Sequence, residues 1–262
     1  MEVVSGKLEN FNIQKIAKEA VKDAVDTIGA EPIPSGKYPV VFSNKVMASM
    51  LATFGSIFSA EAAQKGLSLL KDKEGEQIAT DILTLTDDPM KEDALVKCTF
   101  DGEGVATYSK AVVENGQLKT LLHNLTTAHK AGIASTGNGR KAGYAAPVAI
   151  LPYNFFVEKG GAGSKEDLFA KAGEGIYVTE INGMHAGANA VTGDFSLAAE
   201  GFLVTGGKRA HAVKNFTISG NYYQLLKNVV AVGDDLEFGA PHGGCTYGSP
   251  SVLVKEISLA GK

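Results

Sequence analysis

Hydrophobic and polar positions along the chain follow two periods, helical at the start and mostly strand-like afterwards. From Asn12 to Ile28 the apolar residues Ile13, Ile16, Ala17, Ala20, Val21, Ala24 and Ile28 recur at helical spacing. Lys15, Lys18, Glu19, Lys22 and Asp23 take the other face, and Gly29 stops the run. Pro32-Ile33-Pro34-Ser35-Gly36 reads as a stiff connection, followed by a short strand, Val40-Val41-Phe42. A second helical pattern runs from Asn44 to Gln64, with a wide apolar face of Met47, Met50, Leu51, Phe54, Ile57 and Phe58. Its scarcity of charge predicts a helix buried between other elements.

Beyond Gly66 the pattern turns to β. Ile82 to Thr86 predicts a strand closed by the turn signal Asp87-Asp88-Pro89. Ala106–Val113 and Gln117–Leu122 flank Glu114-Asn115-Gly116, where Asn-Gly supplies the positive φ angles of a tight hairpin. Val148–Val157 predicts another strand, and Ser164 is placed to cap a helix that ends at Gly173 or Gly175. Strands are then expected over Ile176–Ile181, over Phe195–Thr205 with Lys208–Val213 as a hairpin that Asn215–Ser219 extends, and over Val252–Ala260. A short helix is expected over Asn221–Ala231. The sum is an α+β fold, a mainly antiparallel β-sheet domain with a few segregated helices. Residues 1–36 form an N-terminal helix and linker, and residues 37–262 the main domain.

Composition narrows the function. The chain has 262 residues, enough for a sizeable core, and a net charge of −4 with no basic stripe. A protein that grips phosphate backbones needs clustered Lys and Arg, so direct nucleic-acid binding is disfavoured. No run approaches the roughly 20 apolar residues of a membrane helix, and the acidic, polar start is not a signal peptide. Two cysteines without a CxxC pair, Cys98 and Cys245, fit reduced thiols in the cytoplasm.

Several segments together resemble the PmbA/TldD peptidase family, and within it the TldE/PmbA branch. They are Ile33-Pro34-Ser35-Gly36-Lys37-Tyr38-Pro39-Val40-Val41, Lys65-Gly66-Leu67-Ser68, Asp87-Asp88-Pro89, Phe100-Asp101-Gly102-Glu103-Gly104-Val105, Ser135-Thr136-Gly137-Asn138, Val191-Thr192-Gly193-Asp194-Phe195-Ser196, Gly201-Phe202, Thr217-Ile218-Ser219-Gly220-Asn221 and Pro250-Ser251-Val252-Leu253-Val254. Each is weak alone; their common order carries the resemblance, which covers the C-terminal half of a typical member. In the family, TldD-type subunits carry His-Glu-x-x-x-His on the helix before the Lys-Gly-x-Ser segment. Two imidazoles there hold zinc, and the Glu serves as base for the metal-bound water. In that register this chain has Leu51, Ala52 and Ser56, and no His precedes His123. Counting back from Pro250 places Leu236 near the position of a late metal-binding Cys of TldD, while Cys245 falls elsewhere.

The resemblance therefore implies a non-catalytic partner subunit of a TldD/TldE-type zinc metallopeptidase acting on unfolded peptides. No cofactor is expected on this chain. Zinc is expected on a TldD-like partner, with pairing to that subunit or to a second copy as a dimer. Candidate peptide-binding residues are Thr192, Gly193, Asp194, Phe195 and Ser196, and Ser135, Thr136, Gly137 and Asn138. The first group also reads as a tight turn with Gly193 at positive φ, the second as a surface loop. Asp87-Asp88 and Asp234-Asp235 read as solvated turn acids, and His242 and Cys245 as an exposed, flexible Gly-rich loop. Two alternatives stay open. One is a stand-alone metallohydrolase assembled by folding from His185, His211, His242 or Cys245; the other is a non-enzymatic protein-binding module. No Gly-x-Ser-x-Gly elbow offers serine chemistry.

Overall fold

The computed structural model describes residues 12–262. In chain order they form α1 (Ile13–Asp26), β1 (Gly36–Phe42), α2 (Asn44–Phe54), a 3-10 turn (Gly55–Phe58), α3 (Ala60–Gln64), β2 (Leu85–Asp87), β3 (Lys110–Glu114), β4 (Gln117–Leu118), α4 (Leu125–Ala131), β5 (Gly139–Arg140), β6 (Ala149–Ile150) and β7 (Asn154–Val157). There follow α5 (Lys165–Ala172), β8 (Gly175–Asn182), α6 (Met184–Gly187), β9 (Asp194–Thr205), β10 (Lys208–Asn221), α7 (Tyr222–Lys227), β11 (Val229–Val232), β12 (Glu237–Phe238), β13 (Thr246–Ser249) and β14 (Val252–Ala260). The architecture is the expected α+β, with parallel pairing only at β1–β8 and β13–β7 among the described ladders.

Two sheets enclose the core. In the first, β1 pairs with β8, β8 with β9, β9 with β10 and β10 with β14. Because β14 also pairs with β1, these five strands close into a small barrel. At Pro39, which has no N–H to give the ladder, the β1–β14 register shifts between Tyr38 and Val40. Val252–Val254 of β14 also hold β11, and Ser258–Ala260 hold β10, so one strand binds three neighbours. The second sheet runs β12-β13-β7-β2-β3-β4. Helix α2 lies against both sheets, touching β8 of the barrel and β13 and β12 of the second sheet. It buries Val46, Met47, Ala48, Met50, Leu51 and Phe54. The expected interior position of this helix is borne out.

The boundaries differ where tertiary contacts compete with propensity. The single helix expected over Asn44–Gln64 is three pieces. Leu122 N–H donates to Phe58 C=O and Ala60 N–H to Leu122 C=O, diverting the main chain to a neighbouring segment. Ser59 is extended, and its hydroxyl caps α3 at Ala62. The strand expected over Val148–Val157 breaks into β6 and β7 around Pro152, and that expected from Ile82 starts only at Leu85. The helix expected to reach Ala231 ends at Lys227, and the β-branched run Val229–Val232 adds instead to β14. Other expectations hold. Asn115 and Gly116, at φ 48° and 78°, turn the β3–β4 hairpin, and Ser164 and Asp167 form a capping box on α5. The face of α1 read as apolar is open to solvent, with Ile13 77% and Ile28 78% exposed.

Between α2 and the barrel, Phe54 stacks on Tyr222 with centroids 4.5 Å apart and planes at 10°, and meets Phe195 edge-on at 6.3 Å. Tyr222 is completely buried, and among the described residues its hydroxyl has no hydrogen-bond partner. A buried hydroxyl without a partner penalises the folded state. Tyr222→Phe, which keeps the ring and removes the orphan hydroxyl, should be neutral to stabilising by about 1 kcal/mol. Urea denaturation reads this directly; a clear loss of stability would show that the hydroxyl has a partner after all.

Candidate functional site

One side of α2 keeps partial exposure, at Lys45, Ser49 and Ala52. Lys45, Ala48, Ser49 and Ala52, at helical spacing, form the wall of a cleft of about 980 Å³. The opposite wall is the Leu236–His242 stretch, which includes β12; Lys91, Asp93 and Leu95 from the β2–β3 connection, Lys159 after β7, and Tyr247 of β13 complete it. The walls are held together locally. Ser43 caps α2 by accepting from Val46 N–H at 3.3 Å. The Asn44 amide donates to Asp235 C=O at 3.2 Å and to Glu237 Oε2 at 3.0 Å, tying the start of α2 to the far wall. Asp235 accepts from both the N–H and the hydroxyl of Ser251, each at 2.7 Å, so it is an anchor and not a solvated turn acid. Phe238 meets Phe156 edge-on at 5.3 Å, and the Lys91 ammonium sits 5.0 Å above the Phe156 ring. Burial holds the Tyr247 phenol protonated, well above its ordinary range.

The positions singled out by the zinc-motif register fall at or near this cleft. Leu51 is fully buried in the core beneath it, Ala52 lines it and Ser56 is exposed in the 3-10 turn. Leu236, far away in sequence, lines the same cleft as Ala52. An aliphatic chain, a methyl group, a hydroxyl and a second aliphatic chain do not make a zinc donor set, which needs imidazole, thiolate or carboxylate. Among the described residues no group of three or more His, Cys, Asp or Glu could hold a metal ion. His185 sits on α6 and His211 on β10, where it faces Glu31 at 3.9 Å; His242 reaches the rim of the cleft. Cys245 is buried rather than part of an exposed, flexible loop. Two main-chain bonds between His242 and Cys245, of 2.8 and 3.0 Å, close a tight turn there.

The expected peptide-binding residues lie elsewhere. Thr192–Ser196 is a turn into β9. Gly193 has φ 82°, Asp194 N–H donates to the Thr192 hydroxyl at 3.3 Å, and the Asp194 carboxylate accepts from Asn221 at 2.9 Å. These bonds hold the Asp194 carboxyl below its usual range, Asn221 contributing most. Thr192, Asp194 and Ser196 are exposed, while Phe195 packs against Phe54. Ser135–Asn138 is not a surface loop. Thr136, Gly137 and Asn138 are buried, and the Thr136 hydroxyl accepts from His123 N–H at 2.6 Å and donates to Asn138 Oδ1 at 2.8 Å. Asn138 in turn donates to Asp87 at 2.8 Å.

Asp87 is the centre of that network, with 0% of its surface exposed, which corrects the reading of Asp87-Asp88 as solvated acids. It also accepts from Tyr153 N–H at 2.8 Å and faces the buried Lys110 ammonium at 3.4 Å. Burial pulls Lys110 below its usual range, and Asp87 opposes the shift. Asp101 is a second buried acid, accepting from the N–H groups of Glu103, Val105 and Gly139 at 2.9 Å each.

With this geometry in view, the comparison with known proteins is direct. Residues 35–261 match the family model described as the PmbA/TldA metallopeptidase C-terminal domain. The chain is 31% identical over 246 residues to a Haemophilus influenzae metalloprotease PmbA homolog, covering 94% of this chain and 51% of that protein. It is 28% identical over 247 residues to Escherichia coli metalloprotease PmbA, again 94% and 51%. A Thermotoga maritima putative modulator of a DNA gyrase superimposes with TM-score 0.89 at 41% identity, over 98% of this chain and 57% of that one. TldE from Thermococcus kodakarensis does so with TM-score 0.85 at 28% identity, over 96% and 56%. The chain belongs to the PmbA/TldD metallopeptidase family, as its motifs indicate, and spans about half the length of the curated relatives it matches.

Two outcomes follow from the buried network. Asp87→Ala would leave the Lys110 ammonium unpaired in the interior and should cost about 3–5 kcal/mol, read by urea denaturation. His123 is 2% exposed, and burial pulls it below its ordinary value, with Glu74 and the Thr127 main chain opposing the shift. The unfolded chain takes up a proton near pH 6.5 that the folded chain refuses, so stability falls as pH drops below about 6.5. His123→Leu should flatten that decline between pH 7.5 and 5.5; an unchanged slope would remove His123 from the acid response.

Proposed function

We propose that this chain is the non-catalytic partner part of a TldD/TldE-type zinc metallopeptidase, working on unfolded peptides in the cytoplasm. The observation that carries this reading is the cleft wall. Ala52 and Leu236, brought to one cleft by the fold, stand where the catalytic branch would carry a general base and a metal thiolate. Neither position offers a base or a metal ligand, and among the described residues no group of three or more His, Cys, Asp or Glu could hold a metal ion, which supports this reading. Zinc, in this reading, belongs to a TldD-like subunit. The cleft holds the peptide instead of the Ser135–Asn138 loop, whose side chains are committed to Asp87 and His123. Its wall contains β12, an edge strand with β13 as its only strand neighbour among the described residues. Such an edge can bind an extended peptide through main-chain groups with little demand on sequence.

The test is reconstitution. This protein alone should leave an unfolded peptide intact. Mixed with a TldD-type subunit it should co-purify, raise cleavage, and leave the zinc on the other chain in metal analysis. Glu→Gln in the partner's zinc motif should abolish cleavage. Cleavage by this protein alone, or cleavage that survives the partner's substitution, overturns the assignment.

A further inference from the structure

The charge of the cleft goes further than its shape. Three lysines from separate segments, Lys45 at the start of α2, Lys91 after β2 and Lys159 after β7, converge on it. The chain as a whole is acidic, at −4, so this convergence runs against its average. Two carboxylates, Asp93 and Glu237, share the cleft. Glu237 is engaged by Asn44. Among the described residues no ion pair joins either acid to any of the three ammonium groups. Lys45 and Lys159 are exposed and make no side-chain hydrogen bond among the described residues, and Lys91 is held over the Phe156 ring. Three lysines thus line one cavity against two carboxylates, with no ion pair among the described residues fixing any of the five to another. Beside them Ala48, Ala52, Leu95, Leu236 and Pro241 give an apolar stretch that suits a chain segment without charge, with Ser49, His242 and Tyr247 as the further polar groups.

We infer that the cleft selects peptides that carry a carboxylate, seating the anion among Lys45, Lys91 and Lys159 while the adjoining residues run along the β12 edge. The inference rests on the peptide-holding reading above and adds the chemical class of the substrate. Asp93 and Glu237 sharpen the choice, because a second carboxylate placed near them is repelled; one well-positioned anion is favoured over a polyacidic tract. The carboxylate can come from an internal Asp or Glu or from a free C-terminus.

Fluorescence anisotropy with an N-terminally labelled unfolded decapeptide separates these sources. Four versions carry an internal Glu or Gln, each with a free or amidated C-terminus. The version with neither carboxylate should bind about 3- to 10-fold more weakly than the better of the two single-carboxylate versions, the scale of one or two exposed charge pairs. The single-carboxylate version that keeps the affinity identifies the source. Raising salt from 0.05 to 0.5 M, on the order of a two- to threefold shorter screening length, should erase the difference. Lys45→Gln with Lys159→Gln should bring all four versions to the affinity of the uncharged one without weakening that one. Equal affinity for all four versions in the wild-type protein overturns the carboxylate preference while leaving peptide binding in place. No binding of any version, alone or with a TldD-type subunit, overturns both readings.

Discussion

The structure depends on the burial of one short helix between two sheets. Helix α2 presents Met47, Met50, Leu51 and Phe54 to the interior, all with no exposed surface, and its only charged side chain is Lys45 at the rim. Burial of such side chains contributes about 1.5–3 kcal/mol each, and Phe54 adds its stack on Tyr222. On its remaining side the exposed Lys45 and Ala52, the half-buried Ser49 and the buried Ala48 line the cleft. Fold and site are therefore one arrangement: the packing that fixes the helix also fixes which four residues a ligand can meet.

Much of this was legible in the sequence, for reasons that differ by element. The interior position of α2 followed from its lack of charge, and β9, β10 and β14 from long alternating runs with clear turns. The tripartite break of Asn44–Gln64 was not legible, because it arises from main-chain bonds to Leu122, a partner distant in sequence. The strand β11 was missed for a related reason. Helical spacing of Val229 and Val230 competed with β-branching, and the available edge of β14 decided it. Local pattern ranks the options of a segment; long-range pairing chooses among them.

The site was legible in part. The register of the family motif led to Ala52 and Leu236, and both line the cleft. The lysines were invisible, since Lys45, Lys91 and Lys159 stand in three unrelated contexts and no spacing rule links them. The signal that could have raised the alarm is the alternation on α2 itself, where a stripe of Ala and Ser opposes a fully apolar face. In the other direction, Ser135–Asn138 looked like a loop for ligands because it is polar. Its polarity instead serves Asp87, a carboxylate that burial makes costly unless several donors surround it. A polar motif can thus serve one buried charge and not a ligand.

The closure of the barrel by β14 bears on how the polypeptide comes to be folded at all. The staves at Gly36–Phe42 and Val252–Ala260 are joined only after nearly the whole domain has been made. Loop closure over that span is entropically slow, and ladders of this kind form late. During synthesis on the ribosome β1 keeps the edge reserved for β14 bare until Val252–Ala260 emerges, even once β8 has covered its other edge, and an unpaired edge of that kind is open to wrong pairing and aggregation.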